Sequence, residues 1–364
     1  MEETNVVLGP ITSLMVWRAA MMGSIDMPYE SLRQPDRMRS VARVRTVRRL
    51  DAVRELGNVP LDVIVGQPKR AHGCKSLNVI TLKDQLPDGS LWSAGEGIYL
   101  CAPELCFVLL SRGGMCLHLL RLGCELCGTY CIAPDQTGSF SNCAQLTTVE
   151  KLRDYVSRLG QRHGVRQARL ALRHMANNSD SPRETALFLM ASLPDRMGGY
   201  GIRKAELNGR IEIPEQAQAR LGKGFLCCDQ VYRDASGKPI AVGEYDSNER
   251  HLYRLNELGD KVVYVEKVLA DDERREVIVE QGAGMVTIRT EDTRDFMKMD
   301  AKLMRLGKLA GCEPRESRGL LLHRRMNLFS SLFDPWVWCE EHEMLRKMAG
   351  YDRAGRRDHS RRSA

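Results

Sequence analysis

The sequence predicts an α/β protein in two parts, and three observations carry that reading. Beyond a polar, turn-rich stretch, "HMANNSDSPR" (174–183), the apolar patterns run in the order α-β-β-β-α-β, which describes a sheet with helices on its faces. Before that stretch, "LNVITLKDQLPDGSLWSAGEGIYLCAPELCFVLLS" breaks into short strands at Pro-Asp-Gly and Gly-Glu-Gly, then enters a helix at Pro103. That pattern describes a mixed helical and small-β domain. Finally, 43% hydrophobic and 28% charged residues over 364 positions suit globular domains with their own cores.

The N-terminal region, 1–58, reads as helical. A Gly-Pro turn precedes an amphipathic stretch with Ile11, Leu14, Met15 and Trp17, and Pro35-Asp36 opens a helix running to Gly57. In the second region, 59–178, "LDVIVG" is a strand, and Thr147-Thr148 caps a helix with Glu150 as its early acid. The third region, 179–310, starts a helix at Ser181-Pro182 that covers Glu184 to Leu193. A loop, "DRMGGYGIR", leads to a strand near Gly209 to Ile213 and then a hairpin. A helical segment ends at Gly282, "MVTIR" is the last strand, and one long helix starts near Asp292. Residues 311–364 read as a C-terminal helix and a basic tail.

Charge and cysteine usage narrow the function classes. The net charge is +7, and the excess is local: "RMRSVARVRTVRR" (37–49) holds six arginines, among them Arg43, Arg45, Arg48 and Arg49, and no acid. The end, "RAGRRDHSRRSA", holds five arginines against one aspartate. Such clusters suit phosphate partners, or else a solvated helix face and a disordered tail. No apolar run approaches the ~20 residues that cross a bilayer, and "MEETNVVLGP" is acidic where an export signal is basic. A cytoplasmic protein without a membrane partner is expected, its twelve cysteines reduced thiols.

The chemistry concentrates in "FLCCDQVYRDASGKPIAVGEYDS" (225–247). With Ser236-Gly237 as the turn, or a four-residue loop from Ala235 to Lys238, antiparallel pairing sets Val231 opposite Val242 and Asp229 opposite Glu244. Opposed side chains share a face about 4.5–5.5 Å apart, and Asp246 projects on that same face. Three carboxylates so gathered repel unless a cation lies between them, and all-oxygen ligands suit Mg²⁺ or Mn²⁺. Such an ion polarises a phosphate and acidifies a water, the chemistry of phosphodiester hydrolysis. Solvated acids on a frayed strand end are the alternative, and an odd-length loop would send Glu244 to the opposite face.

Asp229, then Glu244-Tyr245-Asp246, then His251, resembles the core of PD-(D/E)XK nucleases of the restriction-endonuclease-like fold. More narrowly, it is similar to a bacterial branch related to the very-short-patch repair endonuclease. Asp271, Arg274, Ile278 and Gly282, followed by "MVTIR", match that branch's helix and strand, and "SPRETALFLMASLPDRMGGYG" matches its first helix and loop, with Glu184 the acid. "LPDGSLWSAGEGIYLCAPELCFVLL" is similar to the region preceding this domain in AbiEi-type antitoxins. The likeness spans roughly Val79 to Arg289.

The resemblance implies a DNA-binding protein with two rival activities. One is a Mg²⁺- or Mn²⁺-dependent endonuclease, with Asp229, Glu244 and Asp246 as metal ligands, Glu184 contributing from its helix and His251 as general base or phosphate contact. The other is a non-catalytic antitoxin-like transcriptional regulator with a toxin or other protein partner. Arg274 would pack against the acids or contact phosphate. The family's motif has a lysine two residues after the glutamate, where this chain has Asp246, as do relatives in the branch; Lys238 and Lys261 are substitutes away from the motif position. Ser247 replaces the usual glycine, and the segment between His251 and Asp271 is longer than expected.

Other constellations are weaker. Cys124-x-x-Cys127, near Cys116, His118, Cys131 and Cys143, is half a zinc site without a matching half, so core thiols are expected and zinc is not. "RMGGYGIR" follows a helix instead of a strand and so lacks the geometry of a nucleotide cradle. No small-molecule cofactor is expected.

Overall fold

The computed structural model describes residues 6–24, 30–32, 61–66, 77–82, 85–95, 97–114, 116–133, 139–203, 205–246, 253–255, 261–263, 265–333 and 345. The chain is mixed α/β and divides into two compact units, Met1–Asn177 with Trp338–Ala364, and Asn178–Val337. The helix expected from Pro35 to Gly57, with Arg43, Arg45, Arg48 and Arg49, lies outside the described residues, as do His251 and the basic tail.

In the first unit the elements are β1 (Val6–Leu8), α1 (Pro10–Met21), β2 (Glu30–Leu32), β3 (Leu61–Val65), β4 (Leu77–Thr81), β5 (Leu91–Ser93) and β6 (Ile98–Cys101). There follow α2 (Pro103–Leu110), α3 (Leu117–Leu126), β7 (Tyr130–Ile132), β8 (Phe140–Asn142), α4 (Val149–Arg158) and α5 (Val165–Ala171). A six-stranded sheet runs β2-β5-β6-β1-β3-β4, and β7 and β8 pair by themselves. Val6, Leu8, Leu61, Val63, Ile98 and Leu100 of the sheet pack with Val16 and Trp17 of α1.

The expected amphipathic stretch corrects to a core helix, because Pro10 to Ala20 are all buried. A buried helix must satisfy its polar groups internally. Arg18 forms a buried ion pair with Glu125 at 2.6 Å, and Glu125 also accepts the Ile132 N–H at 3.1 Å. At the other end, the Asp62 carboxylate of β3 accepts the N–H groups of Ile11 (3.1 Å) and Thr12 (2.7 Å) and the Thr12 hydroxyl (2.6 Å). Gly9 makes room for it: a Cβ there would lie 2.4 Å from Asp62 Cγ. Burial raises the Asp62 pKa against those hydrogen bonds. Asp62→Ala orphans two helix N–H groups in the core and is expected to cost about 2 kcal/mol. An unchanged urea midpoint would show that the cap contributes nothing.

The second unit holds α6 (Pro182–Ser192), β9 (Glu206–Glu212), α7 (Glu215–Leu221), β10 (Phe225–Arg233), β11 (Pro239–Asp246), β12 (Tyr253–Leu255) and β13 (Lys261–Val263). It closes with α8 (Val265–Glu280), β14 (Gly284–Arg289), α9 (Phe296–Leu309) and α10 (Gly319–Phe333). Its main sheet runs β14-β11-β10-β9. β9, β10 and β11 are antiparallel, whereas β14 is parallel to β11 and needs the α8 crossover to reach it. Ile211, Leu226, Cys228, Val231 and Val242 pack with Val277 and Ile278 of α8 on one face. On the other face α9 buries Met299, Leu303 and Leu306, with Gly243 of β11 close under Leu306.

Three elements differ from the sequence reading. A short helix, α7, links β9 to β10, and the longer segment after His251 contains the β12–β13 hairpin. The single last helix is two, because Gly311 and Pro314 end α9 before α10 begins.

The hairpin reaches its expected register by an unexpected route. Asp234 N–H bonds the Lys238 carbonyl at 2.9 Å, leaving a three-residue loop, Ala235 to Gly237. Asp234 therefore faces Lys238. Gly237 takes φ +86°, a conformation suited to glycine, and the Asp234 carboxylate accepts N–H groups from Ser236 and Lys238. This odd loop would by itself reverse the facing of β11. A bulge cancels it: Arg233 pairs with Pro239 but Tyr232 with Ala241, so Ile240 is extra. Val231 then faces Val242, as the residue pattern anticipated.

Candidate functional site

The acids of interest come from three elements. Glu184 lies in the first turn of α6, where Ser181 caps the helix: Ser181 Oγ accepts the Glu184 N–H at 3.2 Å and donates to Glu184 Oε1 at 2.8 Å. The other oxygen, Oε2, accepts the Asp180 N–H at 2.9 Å and the Asn208 amide at 3.3 Å. Ser-Pro-Arg-Glu thus resembles a capping box, with the Glu184 carboxylate accepting the Ser181 hydroxyl and the Asp180 N–H in place of the Ser181 N–H. It fixes the carboxylate in place while burying it.

Asp229 and Glu244 approach each other through an irregular sheet. Leu226 and Cys228 pack with α8, and so does Val231. Strict alternation would send Val231 to the opposite face from Cys228, so β10 turns over between them, at Asp229–Gln230. Opposite this step on β9, Asn208 lies between the Gly209–Cys228 and Leu207–Gln230 pairs, and its φ is +49°. The β10–β11 ladder ends at Gln230–Gly243. Beyond it the Asp229 carboxylate takes the place of a backbone acceptor, its Oδ2 receiving the Tyr245 N–H at 2.6 Å. The regular Asp229–Glu244 cross-strand pair expected from the hairpin is therefore replaced by a side-chain-to-backbone bond.

Glu244 is 8% exposed, and its direct partner comes from α8: Arg274 Nη2 stands 2.8 Å from Glu244 Oε1. The same Nη2 bonds the Cys227 carbonyl and lies 3.6 Å from Cys228 Sγ. Burial first, and then the Asp229 charge, push the Glu244 pKa up to about 8, against the pull of Arg274. Glu184 is pushed up to about 7 by burial and then again by Asp229. Three acids from α6, β10 and β11 thus feel one another, at a cost in folding. Asp246, at the motif's lysine position, pairs with Arg289 beside it on β14 at 3.8 Å. The side chain of Lys261 lies outside the described residues, and Lys238 stands at the far end of the hairpin near Gly282.

A divalent ion needs carboxylate oxygens that converge and are free to bind it. Here Glu244 holds a guanidinium, Asp229 holds a peptide N–H, and both Glu184 oxygens have donors. Among the described residues, no three His, Cys, Asp or Glu side chains come together in a way that could hold a metal ion. As arranged, each of the three carboxylates already has a donor from the protein itself.

Two site residues escaped the sequence reading. Asn208, bonded to Glu184 and to the Asn178 carbonyl at 2.6 Å, was signalled only by an Asn-Gly pair inside a strand pattern, a mark of bulges. Cys228 looked like an ordinary core thiol.

Compared with known proteins, the chain matches no family model, no curated protein and no solved structure.

Proposed function

We propose that the unit from Asn178 to Val337 is a restriction-endonuclease-like scaffold that binds DNA without hydrolysing it, and that the protein is an antitoxin-like regulator. The observation that carries this reading is the Arg274–Glu244 ion pair at 2.8 Å. A cation from the protein's own helix neutralises the acid that a nuclease would offer to a metal. The three antiparallel strands and one parallel strand, with α6 before them and α8 as crossover, support the scaffold. The motif lysine is absent, Asp246 standing in its position. The net charge of +7 supports a phosphate partner. Among the described residues no helix is long and apolar enough to cross a membrane, in keeping with a cytoplasmic site of action.

One observation favours the second reading, a metal-dependent endonuclease. Asp229 is held close enough to Glu184 and Glu244 to raise the proton affinity of both, and a protein that only binds phosphates gains nothing from such grouping. That activity requires Arg274 to leave Glu244.

The test combines binding and cleavage. Duplex DNA is expected to bind with an affinity that falls steeply as salt rises, and plasmid is expected to stay intact with Mg²⁺, Mn²⁺ or EDTA. Cleavage abolished by Glu244→Ala would establish the second reading instead. Failure to bind DNA at low salt would remove both.

A further inference from the structure

Cys131 and Cys143 lie on the small β7–β8 ribbon of the first unit. Cys131 pairs with Ser141 and Tyr130 with Asn142, and the Cys143 N–H bonds the Thr129 carbonyl at 2.9 Å. Continuing the ladder sets Cys143 opposite Thr129, so that Cys131, two residues on, shares its face. The two thiols are near enough to shift each other's titration, Cys131 upward and Cys143 downward. They differ in access: Cys131 is buried, its Sγ near the Arg18 carbonyl at 3.9 Å, whereas Cys143 is half-buried.

We infer that Cys131 and Cys143 are a redox-sensitive dithiol that closes to a disulfide on exposure to a small-molecule disulfide oxidant. Cys143 is the attacking sulfur, since it is the more exposed of the two and its neighbour Cys131 lowers its pKa. The Cys143 thiolate attacks one sulfur of the oxidant, forming a mixed disulfide and expelling one thiolate. That thiolate takes the proton of Cys131, whose sulfur then attacks Cys143 and expels the second thiolate. Two protein thiols are oxidised and one disulfide is reduced to two thiols. The new bond would clasp the ribbon beside the buried Arg18–Glu125 pair, which holds β7 through the Ile132 N–H.

The test uses the full chain, reduced and then titrated with oxidised glutathione, alkylated and mapped by mass spectrometry. The first intramolecular cross-link is expected between Cys131 and Cys143, with the loss of two alkylatable thiols. Cys131→Ser is expected to trap Cys143 as the mixed disulfide with glutathione. The inference is overturned if another pair closes first, or if wild-type Cys143 stops at the mixed disulfide while Cys131 stays alkylatable. The wild-type map decides the matter even if a variant does not fold.

Discussion

Arg274→Ala is expected to destabilise the protein by about 3–5 kcal/mol above about pH 8, where Glu244 is ionised, the usual cost of removing one partner of a buried ion pair. Arg274 is the direct cationic partner of Glu244, whose side chain is almost wholly withdrawn from water. Without it, Glu244 faces Asp229 and Glu184 with no compensating charge. The acid then escapes by taking up a proton, so the loss is expected to shrink toward acidic pH. The pair is replaceable by apolar groups: Arg274→Met combined with Glu244→Leu is expected to recover most of the lost stability. Urea denaturation of the single and double variants measures this. If Arg274→Ala costs less than about 1 kcal/mol, the ion pair behaves as a solvated surface contact, and the regulator reading loses the observation that carries it.

The same cluster makes stability fall as pH rises. Glu184 and Glu244 have ordinary values of 4.5 in the unfolded chain, while the fold raises them to about 7 and about 8. From about pH 4.5 upward the unfolded chain has released protons that the folded protein keeps. The folded state is therefore favoured at the acidic end, and that advantage is lost as pH passes through 7 and then 8. Above about pH 8 the effect levels off. A tenfold gain in proton affinity on folding is worth about 1.4 kcal/mol, so shifts of this size make the two acids the main source of the pH dependence. Asp62, also raised by burial, acts in the same direction. Glu244→Gln, which keeps the shape and removes the titration, is expected to flatten the slope between about pH 5.5 and about pH 8. A wild-type profile that is flat or rising across that window would mean that the acids are hydrated and not pressed together.

The two effects bear on function together. Protonation of Glu244 and its pairing with Arg274 are alternative ways to remove one negative charge from a buried group. A divalent ion would be a third, and it competes with both. Arg274 is therefore the residue whose removal separates the two functional readings most directly. If the scaffold keeps a latent nuclease site, Arg274→Ala should bind Mn²⁺ more tightly than the wild type does.

Much of the second unit was legible because its signals are local. Apolar alternation marked β10, β11 and β14, and Ser181-Pro182 with Glu184 announced the start of α6 through the chemistry of helix N-termini. The Val231–Val242 register followed from the approximate turn position and the period-two strand. Less of the first unit could be read: α1 looked amphipathic because Thr12, Ser13 and Arg18 are polar, yet each has a buried partner far along the chain.

By itself the sequence determined the α/β class, the order of α6, the four strands of the main sheet and α8 in the second unit, and which acids belong to its hairpin, since these depend on neighbours a few residues apart. Only the tertiary structure decided what those acids meet. An odd loop and a bulge cancelled, β10 turned over at Asp229, and α8 laid Arg274 against Glu244. Side-chain facing changes with every residue gained or skipped in a ladder, and a charge's partner is set by packing between segments tens of residues apart. Neither is written in any short stretch of the chain.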